Sequence, residues 1–263
     1  NKNLDFSVDF NPATFHLTSW IKEIDRVNSG MDIICLTSLN EGTPVSLIEA
    51  QASGKPIVSV TGTFTLKPRP GLAKQIIKTL RYTKTGWRNK LGLRNPGIFE
   101  GIDNTASRNV MSIASLQPND WKILYEIVPK DMNVELNISC PNVDEHPDLI
   151  KNFARDERKW CIVKVPPTIT NKQIDKIVKL GYNQIHASNT VPTEKGGLSG
   201  DVIVPHTLRI LEYIKSTHSH VEVIAGGRVK NKASADRYID AGADHISLGT
   251  VCITPWRIKS ILN

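Results

Sequence analysis

Short β-branched and apolar runs alternate along most of the chain with segments whose apolar residues recur every three to four positions. The first pattern predicts strands buried on both faces, and the second predicts helices that cover them. Strands are predicted over Met31–Leu36, Ile57–Thr65, Asn109–Ala114, Asn133–Ile138, Trp160–Val165, Asn183–Ala187, Val221–Ala225 and His245–Leu248. Helices are predicted over Pro44–Ala52, Asn171–Leu180, Pro205–Thr217 and Ala233–Ala241, the last stopped by Gly242. Eight strands with helices between them favour a parallel (β/α)8 barrel of the TIM type over an open sheet. The stretch from Thr65 to Gly97, rich in Pro, Gly, Lys and Arg, reads as a long functional loop.

In such a barrel the polar residues that end the strands converge on one face. Five strand ends carry them: Asn137 with Cys140, Lys164, Asn189 with Thr190, Gly226 with Gly227, and Gly249 with Thr250. Asn137 and Cys140 belong to the run Asn-Ile-Ser-Cys-Pro-Asn at 137–142. There a thiol able to exchange a proton stands between two carboxamides, which offer both donors and acceptors to a flat polar substrate. Taken alone, Cys140 would be an inert buried residue, Lys164 a strand-end lysine reaching for water, and each asparagine a turn or cap.

Composition narrows the setting. Four cysteines, Cys35, Cys140, Cys161 and Cys252, are far apart with no CxxC pair, which argues against a structural zinc site or a disulfide framework and for a reducing compartment. With no basic-then-apolar leader and no apolar run of about 20 residues, a cytoplasmic protein without a membrane partner is expected. The net charge of +7 is spread among scattered lysines and arginines that are not interleaved with aromatics, so anionic small molecules suit it better than nucleic acid. His218 and His220 lie in a polar loop without a third ligand nearby and are expected to be solvated, leaving no metal site.

From about Val60 onward the chain resembles dihydroorotate dehydrogenase in an ordered series of motifs. These are TGTFTLKPRPG (61–71), NKLGLRNPG (89–97), ELNISCPN (135–142), VKVPP (163–167), SNT (188–190), GGLSG (196–200) and LGT (248–250). The resemblance implies an FMN-dependent oxidoreductase that converts dihydroorotate to orotate in pyrimidine biosynthesis and leaves the electron acceptor open. It implies Cys140 as the base at C5 while hydride leaves C6 for flavin N5, with Lys164 beside the flavin N1 and O2 edge. Asn89, Asn137, Asn142, Asn189 and Thr190 would hold the substrate, Asn89 and Asn142 from loops. FMN would lie against Gly62, Thr63, Asn137, Lys164, Ser199, Gly200, Gly226, Gly227, Gly249 and Thr250, its phosphate after the last two strands. Cysteine as the base marks the soluble class, in which homodimers are common, whereas GGLSG looks like the membrane-associated class. Arg228 stands where the family usually has glycine, and Gly62 where the soluble class places a lysine. A tRNA-dihydrouridine synthase also joins an FMN barrel to a cysteine, but ELNISCPN and GGLSG fit it poorly.

Before Val60 the likeness changes. Within residues 14–60, the stretch MDIICLTSLNEGTPVSLIEAQASGKPIVSV (31–60) resembles the donor half of GT-B glycosyltransferases, with Glu41 and Glu49 spaced eight apart. The expected division is therefore a glycosyltransferase-like βαβ fragment over 1–59 and an FMN barrel over 60–263, the fragment standing in for the first βα unit. The alternatives are a remnant that binds a nucleotide sugar, or a folded but inactive chimera.

Overall fold

A computed structural model describes residues 7–10, 13–16, 58–139, 147–156, 158–187, 189–249, 251 and 261. The predicted strand Met31–Leu36 and helix Pro44–Ala52 lie outside these residues. Near the N-terminus, β1 (Ser7–Phe10) and β2 (Ala13–His16) form an antiparallel hairpin.

The other seven predicted strands all form, most of them slightly trimmed and the first reduced to its last two residues. They are β3 (Phe64–Thr65), β6 (Met111–Ala114), β7 (Val134–Asn137), β8 (Cys161–Val165), β9 (Gln184–Ala187), β12 (Glu222–Gly226) and β13 (His245–Ser247). They join in one parallel sheet, and their order across it is their order in the chain. Between them run α2 (Ile98–Asn104), α3 (Asp120–Ile127), α4 (Asn171–Lys179), α5 (Val204–Thr217) and α6 (Lys232–Asp240). A sequential parallel sheet with a helix on nearly every crossover is TIM-barrel-type α/β architecture. The helix ends follow local chemistry: Thr170 with Gln173 and Asn231 with Ser234 form capping boxes, and Gly242, at φ +97°, ends the last turn after α6.

Strand register separates an apolar face from a polar one. Ile113, Leu136, Val163, Ile185 and Val223 stand side by side across five strands, each 0% exposed. One residue further along each strand the opposite face is reached. There Asn137, Lys164, His186, Ile224 and His245 form the corresponding row, and Glu135 stands beside Ser112. The apolar row belongs to the hydrophobic core, while the polar row supplies the site.

The predicted loop from Thr65 to Gly97 is instead structured. It holds α1 (Leu72–Thr79), β4 (Arg81–Thr83) and β5 (Gly86–Asn89), and β5 pairs with β11 (Gly196–Leu198), which pairs with β10 (Val191–Thr193). Asn89 thus lies in a strand and not in a loop. Gly86 and Gly200 bring the two hairpins together. A Cβ on Gly86, at φ +149°, would lie 1.9 Å from the Ser199 carbonyl oxygen, and one on Gly200, at φ +116°, 2.0 Å from that of Thr85. Gly86→Ala should therefore destabilise the small sheet by about 2–4 kcal/mol. Hydrogen exchange at the Ser199 amide, which donates to the Trp87 carbonyl at 2.8 Å, checks this. Unchanged protection there would show that the contact is relaxed.

Candidate active site

The polar face converges on one buried carboxylate. Glu135, 1% exposed, accepts from the Ser112 hydroxyl at 2.8 Å through Oε1 and lies 2.6 Å from His186 Nδ1 through Oε2. Lys164 Nζ is 3.7 Å from Oε1, with its side chain about one-fifth exposed. Burial pushes the Glu135 pKa up, but Lys164, His186 and the Ser112 hydrogen bond more than reverse this and hold it at about 2. His186 is moved down, first by burial and then by Lys164, against the pull of Glu135. A neutral imidazole beside an ionised, acceptor-only carboxylate must carry its proton on Nδ1 and donate it to Glu135.

From Glu135 a hydrogen-bond chain climbs to the strand ends. Ser112 gives its proton to Glu135, so in the 3.0 Å contact between the two hydroxyls Thr63 is the donor and Ser112 the acceptor. Thr63 accepts from Asn137 Nδ2 at 3.1 Å, and Asn137 Oδ1 accepts from both the Ser139 amide and the Ser139 hydroxyl. The Ser139 hydroxyl accepts from Asn189 Nδ2 at 2.5 Å, and Asn189 Oδ1 accepts from the Thr190 amide at 2.8 Å. Donor order is the same throughout, so neither carboxamide is free to flip.

The structure thus brings together Thr63, Asn137, Lys164 and Asn189 from the predicted set, and adds Glu135, His186 and Ser112, which the sequence reading missed. The clue was a glutamate inside an otherwise apolar strand, within the quoted ELNISCPN run. Other predicted residues hold the frame. Asn89 sits across from Gly197 in the small sheet, the Ser199 hydroxyl donates to the Trp87 carbonyl at 2.9 Å, and Gly197 packs so tightly that a Cβ would lie 2.3 Å from Thr190 Oγ1. Gly226 ends β12 and Gly227 follows it, where a Cβ would meet Ser247 at 2.9 Å or Ile203 at 2.7 Å respectively. At Gly62 and Gly249 a Cβ would meet no atom of the described residues within 4 Å. Arg228, with φ +59° in the left-handed region, donates from Nε to Asp201 at 3.0 Å. Cys140, Asn142 and Thr250 lie outside the described residues.

Away from this network, one expectation changes. His218 is not simply solvated: its Nε2 lies 2.8 Å from Asp175, which also accepts from Tyr213. Of the other thiols, Cys161 is pushed up to about 12 by burial, so it cannot act as a base near neutrality.

The family model for dihydroorotate dehydrogenase matches residues 40–262. The chain belongs to the dihydroorotate dehydrogenase family. That makes it one of a family of oxidoreductases, and its relatives agree. The catalytic subunit of dihydroorotate dehydrogenase B (NAD(+)) from Thermotoga maritima is 30% identical over 191 residues, covering 62% of this chain and 71% of that protein. The subunit of the same name from Halalkalibacterium halodurans is 27% identical over 219 residues, covering 69% and 72%. Among solved structures, the dihydroorotate dehydrogenase of Eimeria tenella in complex with ferulenol shares the fold, with a TM-score of 0.55 at 17% identity over 83% of this chain and 76% of that one. A second family model, glycosyl transferases group 1, matches residues 3–68.

Proposed function

We propose that the protein oxidises dihydroorotate to orotate with FMN, as a step of pyrimidine biosynthesis. The observation that carries this reading is the single connected network in which a cation, Lys164, and two orientation-locked carboxamides, Asn137 and Asn189, rise from neighbouring strand ends on one buried anion. That donor set fits a flat ring with amide-like edges stacked near a cofactor that becomes negative on reduction.

FMN, when bound, supplies the hydride acceptor. Asn137 and Asn189, with Asn89, Asn142 and Thr190, would orient the substrate ring, and Cys140 would remove its C5 proton. Lys164, with Gly62, Thr63, Ser199, Gly200, Gly226, Gly227, Gly249 and Thr250, would hold the cofactor. The reading takes residues 60–263 as the FMN barrel and the 1–59 fragment as the source of its closing strand. It also takes the protein as a cytoplasmic homodimer. Among the described residues no helix is long and apolar enough to cross a membrane.

The purified protein should be yellow, and heat denaturation should release FMN in near-equimolar amount, measured by absorbance. Anaerobic dihydroorotate should then bleach the bound flavin. Protein that takes up FMN but is not bleached would retire the substrate, and protein that takes up no FMN would retire the reading altogether.

A further inference from the structure

The buried carboxylate of Glu135 has no part in the proton and hydride transfers just assigned, yet it anchors the network that holds Lys164 and Asn137. A carboxylate 1% exposed is expensive to bury and persists only when its partners satisfy it. Here one oxygen meets Ser112 and Lys164 and the other meets His186, from three different strands. The Lys164 ammonium is therefore not an isolated cation at the mouth. Together with a neutral His186 it forms a group whose net charge is zero only because Glu135 is present.

We propose that Glu135 is a positioning residue that holds Lys164 in place and, by its negative charge, sets the reduction potential of the flavin bound at the barrel mouth. This rests on the FMN reading above. An unopposed Lys164 would favour the negatively charged reduced cofactor strongly and would hinder its reoxidation. The fixed anion beneath it moderates that preference, so that the cofactor can both take and pass on electrons. Ser112 and His186 keep the carboxylate from swinging upward, which leaves Lys164 as the one partner of the three with a partly open path toward solvent.

The test measures the affinity of the protein for reduced and for oxidised FMN, equivalently the midpoint potential of bound against free FMN, and needs no turnover. Glu135→Gln is isosteric: its amide oxygen can still accept from Ser112, and its NH2 can donate to His186 Nδ1 once the neutral imidazole moves its own proton to Nε2. Removing the charge should tighten reduced FMN relative to oxidised FMN by about tenfold or more, the effect of one unit charge at the permittivity near a protein surface. Glu135→Asp, which keeps the charge, should stay within about threefold of the wild type, an order that a purely structural role would not produce. Should Glu135→Gln fail to fold, the comparison moves to Lys164→Gln and the Lys164→Gln/Glu135→Gln double variant, in which the buried pair is neutral. There the second substitution should again favour reduced FMN. An FMN preference unmoved, or moved toward the oxidised form, by loss of the Glu135 charge overturns the inference and leaves the FMN reading standing. A wild-type protein that takes up no FMN overturns both.

Discussion

Glu135→Leu should destabilise the protein by about 2–4 kcal/mol at pH 7, among the largest effects of any substitution away from the glycine contacts. The carboxylate is buried, so its removal saves a desolvation cost. It also strands the His186 Nδ1 proton and the Ser112 hydroxyl in the barrel and leaves Lys164 without its counter-ion. Lys164 is about one-fifth exposed and can recover some hydration, which is why the loss lies below the upper range for a fully buried pair.

Acid gives a second handle on the same group. Glu135 is held at about 2 in the fold against an ordinary value of 4.5. A carboxyl lowered by folding contributes stability that is fully present above its unfolded value and disappears as pH falls toward the folded one. His186 works in the same direction: its value is lowered in the fold, so the unfolded chain takes up a proton first as pH falls below about 6.5. Stability should thus decline gently from about pH 6.5 and steeply below about 4.5. The gap between wild type and Glu135→Leu in urea unfolding should be at full size down to about pH 4.5 and should shrink below it. A gap constant from neutrality into that acid range would mean that the carboxylate is not the ionised anchor of the network.

The strands were legible because parallel strands covered on both sides are written as unbroken apolar runs, and their polar ends stand out against that background. The same property hid Glu135 and His186. Each sits in mid-strand, on the inward face of a run whose other members mark it as core, and only the register with Ser112 and Lys164 shows that the three strands offer partners. The β4–β5 hairpin was hidden for another reason. Its residues are basic and flanked by Pro and Gly, and what orders them is far away in sequence: Leu198 against Arg88 and Gly197 against Asn89. Likewise α2 is absent from the predicted helices, and the Gly101 within it is required by packing, since a Cβ there would lie 2.7 Å from the Phe64 ring. Local propensity loses in both places to contacts that no window of the sequence contains.

Cys140→Ala should lower the rate of flavin reduction by dihydroorotate by about 10²–10⁴-fold, the usual contribution of a positioned general base, while leaving FMN bound. Although Cys140 lies outside the described residues, the backbone that leads to it is fixed through Ser139, whose amide and hydroxyl both bind the Asn137 carboxamide. Asn137 is itself tied to Thr63, and Asn189 to Ser139, so the alanine variant keeps the groups assigned to the ring and should retain orotate binding within about threefold. Loss of rate without loss of product affinity is the signature of a missing proton acceptor, as opposed to a collapsed pocket. Cys161 provides the contrast, being a buried thiol pushed up to about 12 and remote in role from the network. Cys161→Ala should therefore leave flavin reduction within about twofold, at a small cost in stability. Stopped-flow absorbance with the two variants decides between the thiols: a Cys140→Ala protein reduced as fast as the wild type would remove the proton-transfer role from residue 140, whatever the fate of the FMN assignment.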